Sequence, residues 1–571
     1  MALPSSRLRV GRGVARVISE VICSAETSRA LPTQTPHAAP DRKASLAEEQ
    51  LPNSISHPKW QRFVIPSVSN LLFVALLLAL SCGMMGGVLL RDSDIGWHIR
   101  NGEQMLLTHA ITRTDSFSST MSGHTWYAWE WLYDVLIAVI HHLAGLNGVV
   151  FFTAAIIAAT FALTLHLALR HGANLFIALF LLVLSLGASA VHFLARPHVL
   201  TWLFAVIWFD LLDSAAATRL SNKRLLWLPA LTILWANVHG GFVLGLALLA
   251  IYLVGAAIEY LIHHEQRPQI RSWLQYLAGL TALCIAASFV NPYGYHLQVH
   301  IYRYLADRFL MNQISEFLSP DFHGGAQQCF AILLTIAIVS LATTPQRPST
   351  SRLLVLGFAG YSALVATRNL PTSSLLITLV LAPMVSVTMV QTVNNVTVAS
   401  RLRRLLSAVS SFGFRMHNFE TSLRGNIWVV IVLAGGVWPC LHNGRFGSAQ
   451  FINAHFDEKR FPARATDFIS AQHIGGPVFS LDYWGGYLIY RLYPNTKVVT
   501  DDRHDLYGDQ FIKNYLKIVR VQPTFAEELD RMNVDWVLVP RWSSLANVLR
   551  LTPQWTAVHE DDTAALFHRE R

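Results

Sequence analysis

What most constrains this chain is a succession of eleven apolar stretches between residues 70 and 441 whose centres are nearly free of charge. They run over 70–90, 147–169, 174–195, 199–212, 225–236, 242–262, 273–290, 326–342, 353–365, 370–390 and 427–441. A helix crosses the hydrocarbon of a bilayer with about 20 mostly apolar residues, so the series predicts a polytopic α-helical membrane protein of about eleven transmembrane helices. One more apolar segment, 131–143, contains Asp134, His141 and His142. At about 13 residues it is too short to span and suits a helix lying in the interface.

Of the 571 residues, 53% are apolar and only 14% charged, and the charges are unevenly placed. Residues 443–571 hold 15 Lys/Arg and 16 Asp/Glu, whereas 67–442 hold 20 and 14. A body so poor in charge is not soluble on its own, and the remainder is as charged as an ordinary globule. We therefore divide the chain into a basic leader (1–66), a membrane body (67–442) with a first outer loop at 91–146, and a C-terminal α/β domain (443–571). In the last, strands are predicted at 477–481, 497–500 and 535–540, helices at 484–492, 510–519 and 524–532, and a hairpin at 555–559 and 564–568.

The net charge of +9 divides as +4 in the leader, +6 in the body and −1 in the tail. No basic stripe marks the tail, so nucleic acid is excluded as a partner and membrane lipids take its place. The basic residues collect in alternate loops: Arg170; Arg219, Lys223 and Arg224; Arg267 and Arg271; Arg347 and Arg352; then Arg401, Arg403, Arg404, Arg415 and Arg424. By the positive-inside rule these loops and the leader are cytoplasmic, and the tail is extracytoplasmic, as in a bacterial inner-membrane protein. The leader lacks the apolar core of a secretory signal and reads as a disordered cytoplasmic extension, the alternative being an organellar transit sequence, against which Glu20 and Glu26 count. The five cysteines, Cys23, Cys82, Cys284, Cys329 and Cys440, form neither a disulfide framework nor a CxxC metal pattern.

Once oriented, the unusual polar residues gather at outer helix ends and loops, where an ionisable group at membrane depth reads as functional. Asp92 and Asp94 follow the first span. Carboxylates at i and i+2 can hold a divalent cation, or one can act as a base while the other orients it; the alternative is a solvated helix end beside Arg91. Arg196 and Arg368 can receive a phosphate in bidentate fashion or simply snorkel. His98, Glu130, His239 and Glu316 are candidate substrate contacts on the same face. Trp484 joins them from Asp482-Tyr483-Trp484-Gly485-Gly486-Tyr487, where aromatics flank a glycine pair suited either to stacking on a sugar or to packing the tail onto the body. Asp501-Asp502-Arg503, after the next strand, is either a site or a solvated turn, and the turn is the preferred reading.

On these marks, above all Asp92-Ser93-Asp94 with Gly96-Trp97-His98, and further Trp129-Glu130 and Tyr483–Tyr487, the chain resembles GT-C class glycosyltransferases over most of 68–571. That polytopic class includes protein mannosyltransferases, aminoarabinose transferases and oligosaccharyltransferases, and within it the chain is most similar to bacterial members. The resemblance implies transfer of a sugar from a polyprenyl-phosphate carrier to a glycan, lipid or protein acceptor at the outer face. One of Asp92 and Asp94 would be the general base and the other would orient it or hold a cation, while Arg196 or Arg368 would neutralise the leaving phosphate. The Tyr483–Tyr487 stretch departs from the Trp-Trp-Asp motif of oligosaccharyltransferases, which argues against a peptide acceptor. Two other readings are a polysaccharide polymerase or ligase joining lipid-linked glycans, and a non-enzymatic carrier or scaffold.

Overall fold

The computed structural model describes residues 61–570 apart from 219–222, 345–346, 395–399 and 424. Most of the leader, together with Arg219 and Arg424, thus lies outside the described residues. Seven described helices are long and apolar enough to cross a membrane: Trp131–Arg170, Leu175–His192, His198–Thr218, Phe242–Ile262, His264–Ser288, Gly325–Thr343 and Thr367–Val393. Three shorter apolar helices, Val68–Ser81, Thr350–Val365 and Ile427–Leu441, fall on three further expected spans. The stretch expected at 225–236 is the 12-residue helix Trp227–Val238, shorter than a bilayer requires. The chain is a multi-pass membrane protein by its apolar helices.

Two local features set the geometry of the helix ends. In Trp131–Arg170 the helix is broken at Gly145 (φ 58°, ψ −157°), a left-handed conformation that costs a residue without Cβ little. Residues 131–144 therefore form a separate helix ahead of the span, with Leu136, Val139 and Leu143 exposed along one side, as an interfacial helix requires. At the other end of the body Glu420 closes the start of helix Val68–Ser81, accepting the N–H of Val68 at 2.7 Å and of Ser69 at 3.0 Å. Those groups have no partner within their own helix, and a carboxylate also suits the positive end of the helix dipole.

Beyond residue 442 the chain builds a four-stranded sheet. Val478–Ser480 runs parallel to Trp536–Pro540, which pairs antiparallel with Ala564–Arg569, itself hairpinned to Trp555–Glu560. Phe479, Val537, Val539, Leu545 and Phe567 fill its core. Two helices, Ala463–Ala471 and Ser544–Leu551, are additional to the expected elements. The strand expected at 497–500 is reduced to bridges: Val498 pairs with Val478 on one side and with Ser118 of the first long loop on the other. Ser119 N–H and Thr120 Oγ1–H also donate to the carbonyls of Val498 and Val499. The loop thereby completes the edge of the sheet, which explains why no free strand forms there.

The glycine pair decides how closely these parts meet. A Cβ on Gly486 would strike the Ser93 carbonyl, one on Gly96 the Gly486 carbonyl, and one on Gly485 the Cα of Asp501. Helices Asp94–Thr108 and Asp482–Leu492 cross there backbone to backbone, an approach only glycine permits. Of the two uses expected for the pair, the structure shows packing.

Candidate functional site

An acidic centre forms where the first apolar segment ends. After the 3-10 turn Gly83–Leu90 the chain bends through 91–93 into helix Asp94–Thr108, and Asp92 Oδ1 accepts the Asp94 N–H at 3.1 Å. This short turn presents both carboxylates to Arg196, which lies just ahead of helix His198–Thr218. Arg196 Nη1 is 3.1 Å from Asp92 Oδ2 and 2.9 Å from Glu316 Oε1, and its Nη2 pairs with Asp94 Oδ2. Glu316 arrives on the turn Ser315–Phe317. Asp502 is the fourth carboxylate: it accepts a hydrogen bond from Ser93 Oγ at 3.2 Å. Asp92, Asp94 and Asp502 each offer an oxygen within 4.8 Å of the others.

Four carboxylates around one guanidinium cannot all be ionised cheaply in a site this enclosed. Burial holds the Asp94 carboxyl well above the usual range, and Asp502 and Asp92 oppose the pull of Arg196. Burial likewise lifts Asp502 to about 7. Glu316 goes the other way: burial would raise it, but Arg196 and then Arg368 outweigh that and bring it to about 2. Burial and mutual repulsion thus oppose the simultaneous ionisation of Asp94 and Asp502. No described residue donates to Asp94 Oδ1 or Asp502 Oδ1, although both atoms are buried. Buried acceptors without donors are costly, and three convergent hard oxygens fit a divalent cation of the magnesium, calcium or manganese kind.

Beside this centre runs a chain of buried polar groups. His98 Nδ1 lies 2.5 Å from Asp134 Oδ1, whose other oxygen accepts from Asn101 Nδ2 at 2.6 Å, and Thr112 Oγ1 donates to Asn101 Oδ1 at 2.7 Å. On the other side Glu130 sits 3.7 Å from His98 Nε2 and 3.5 Å from His239 Nε2. His239 Nδ1 faces Thr201 Oγ1 at 2.8 Å and accepts the Gly241 N–H at 3.0 Å. Burial depresses His98 to about 3 and His239 well below its ordinary value, so both rings are neutral. Burial raises Glu130 to about 7, with His98 partly offsetting it. Glu130 is thus a carboxyl group balanced between its two states near neutrality.

Two of the expected site residues make no hydrogen bond to these groups among the described residues. Arg368 lies over the Phe317 ring at 4.4 Å, with no carboxylate bound among the described residues, so its N–H groups are available to an anion. Arg196 is already engaged by three carboxylates, so of the two arginines expected to meet a phosphate it is the one whose donors are spent. Trp484 corrects the expectation of a stacking platform: it is 1% exposed, its Nε1–H donates to the Arg460 carbonyl at 2.9 Å, and neither ring face meets solvent.

Asp502 is the site residue that sequence reasoning missed, because Asp501-Asp502-Arg503 is no solvated turn. Asp501 and Arg503 are buried, and Arg503 donates to Asp501 from Nε at 2.8 Å and from Nη2 at 2.7 Å. Arg503 Nη2 also reaches Asp115 Oδ1 at 2.8 Å, and its guanidinium lies 4.5 Å from the Trp126 ring. The signal was present in the order of residues: an acidic pair one residue after the apolar run Val498-Val499, as Asp92 comes one residue after Leu89-Leu90.

No family model matches the chain, and no curated protein matches it by sequence. Solved structures do match. The oligosaccharyltransferase AglB of Archaeoglobus fulgidus, in complex with an inhibitory peptide and a dolichol-phosphate, superposes with a TM-score of 0.53 at 9% identity, covering 88% of this chain and 74% of that one. The A. fulgidus oligosaccharyltransferase tethered to an acceptor peptide gives 0.50 at 10% identity with the same coverage. ArnT of Cupriavidus metallidurans bound to undecaprenyl phosphate gives 0.42 at 12% identity, over 88% of this chain and 96% of that one. AglB and ArnT are both GT-C glycosyltransferases. At such identities the likeness is one of fold alone, and it is the fold of the A. fulgidus oligosaccharyltransferase that this chain shares.

Proposed function

We propose that this protein is a glycosyltransferase of the bacterial inner membrane that moves a sugar from a polyprenyl-phosphate carrier to an acceptor hydroxyl at the outer face. The observation that carries the reading is the gathering of Asp92, Asp94, Glu316 and Asp502 around Arg196, in a fold shared with an enzyme held in complex with a dolichol-phosphate.

Each residue then has a task. Asp94, fixed through Oδ2 by Arg196, turns its unpartnered Oδ1 to the acceptor hydroxyl and takes its proton. The acceptor oxygen bonds to the anomeric carbon as the bond from that carbon to the phosphate oxygen breaks, and the electron pair leaves with the phosphate. Arg368, free of carboxylates, meets the negative charge that develops there. Glu316 and Asp92 hold Arg196 in place, so that its charge orients Asp94 rather than the substrate. A divalent cation, when bound by Asp92, Asp94 and Asp502, supplies further positive charge against the phosphate.

Asp94→Asn is expected to lower sugar transfer in membranes by at least about a hundredfold, at unchanged expression. Undiminished transfer by the Asp92→Asn/Asp94→Asn double variant would remove the site assignment. Comparing surface glycans and lipid-linked sugars by mass spectrometry, with and without the protein, identifies sugar and acceptor together. A reporter fused after His442 is expected to be active outside the cytoplasm, and cytoplasmic activity would overturn the outer-face reading.

A further inference from the structure

A second polar cleft lies at the opposite end of the helices from the acidic centre. Helix His198–Thr218 starts two residues after Arg196 and has 21 residues, so at about 1.5 Å per residue its far end is about one hydrocarbon thickness away. There, the ends of Trp131–Arg170 and His198–Thr218, the start of Thr350–Val365 and the turn Lys223–Leu226 enclose a cleft of about 540 Å³. Arg170, His171, Arg224 and Arg352 line it, with Asp213 as the one carboxylate.

The carboxylates here are satisfied by only part of what the arginines offer. Asp213 accepts Arg352 Nε at 2.9 Å and Nη2 at 2.7 Å, as well as Tyr252 OH at 3.0 Å. Asp210, behind the cleft, takes Arg170 Nη2 at 2.6 and 2.8 Å and faces His171 Nε2 at 2.9 Å. A guanidinium has five N–H donors. Nε and Nη1 of Arg170 and Nη1 of Arg352 bond to no described residue. Three arginines and His171 thus line the cleft beside Asp213, with Asp210 behind it. The ion pairs hold Arg170 and Arg352 in place, and their leftover donors call for an anion that accepts several hydrogen bonds, which is the chemistry of phosphate.

The surroundings choose the source of that phosphate. Next to Arg224, Leu226 is 60% and Trp227 68% exposed, and next to Arg352, Leu353 is 41% exposed. Apolar side chains bordering a basic cleft at a helix end suit acyl chains joined to the anion, and a free ion would make no use of them. We propose that this cleft binds the phosphate-bearing headgroup of an anionic phospholipid, with its chains lying along Leu226, Trp227 and Leu353. The site is remote from the acidic centre and does not depend on the function proposed for it.

The test uses the full chain purified in an uncharged detergent, with thermal unfolding and native mass spectrometry read against three additives: phosphatidylglycerol, phosphatidylcholine and inorganic phosphate. Phosphatidylglycerol is expected to raise the unfolding temperature and stay bound, and the other two are not. Arg170→Gln removes leftover donors, and Ala217→Glu sets a carboxylate at an exposed position of the cleft without touching either ion pair. Each is expected to weaken phosphatidylglycerol binding roughly tenfold. Ala217→Glu should unfold at the wild-type temperature in lipid-free detergent, so its loss of binding cannot come from misfolding. Equal effects of phosphatidylglycerol and phosphatidylcholine, an equal effect of inorganic phosphate, or unchanged binding by Ala217→Glu would each overturn the proposal.

Discussion

Arg503 and Asp115, 388 positions apart in the chain, form a buried ion pair, Nη2 to Oδ1 at 2.8 Å, with side chains 2% and 0% exposed. Asp501 completes the group from Arg503's own turn and is itself held by Tyr507 OH at 2.8 Å. The clasp fastens the C-terminal segment to the first long loop and so aims Asp502, which lies between its two members in sequence, at Ser93 and Asp94. Arg503→Ala would leave two buried carboxylates uncompensated. A loss of about 3–5 kcal/mol is expected, together with loss of transfer, measured by thermal unfolding and by activity in membranes. Wild-type stability in that variant would show the clasp to be dispensable.

The glycine crossing makes a sharper separation of stability from function. In Gly486→Ala the new methyl would strike the Ser93 carbonyl, so helix Asp482–Leu492 must move away from the turn that carries Asp92 and Asp94. Transfer is expected to fall about tenfold or more, since misplacement of reacting groups by a fraction of an ångström to 1 Å is costly. Expression and helical content should be retained. A fully active Gly486→Ala protein would mean that the close approach has no bearing on the centre.

Glu130 gives a pH signature. Burial raises its carboxyl from 4.5 to about 7, so between those values the folded protein holds a proton that the unfolded chain has released. Stability from this group is therefore full below pH 4.5 and is lost as the pH rises through about 7, with a slope of up to about 1.4 kcal/mol per pH unit. Glu130→Gln cannot ionise and should flatten unfolding temperature against pH over that window. An unchanged profile in the variant would assign the slope to another group.

Arg368→Ala distinguishes binding of the donor from activation of the acceptor. A guanidinium that meets the carrier phosphate contributes about 1.5–3 kcal/mol through charged hydrogen bonds, so kcat/KM for the lipid-linked donor is expected to fall roughly tenfold to a hundredfold. The acceptor's KM should stay near that of the wild type. An effect on the acceptor alone would move Arg368 to the other side of the reaction.

Much of this molecule is legible along the chain because hydropathy, charge bias and helix breaking are local properties. The apolar runs mark the long helices, Gly145 separates the interfacial helix from its span, and Asp92-Ser93-Asp94 directly follows an apolar segment as a polar site must. Ser93 and Asp502, by contrast, are 409 positions apart, and nothing in either neighbourhood specifies the other. The Asp-Asp-Arg turn has the composition of a solvated loop, and it becomes buried because Asp115 and Trp126 close over Arg503. Likewise Trp484 has the composition of a stacking platform but is consumed by packing. The sequence by itself thus determined the apolar helices, the acidic pair Asp92 and Asp94 and most elements of the C-terminal segment. Only the tertiary structure decided which distant carboxylate joins that pair and which arginine remains open to an anion, because both depend on long-range contacts in which backbone spacing and charge balance, rather than residue type, settle the outcome.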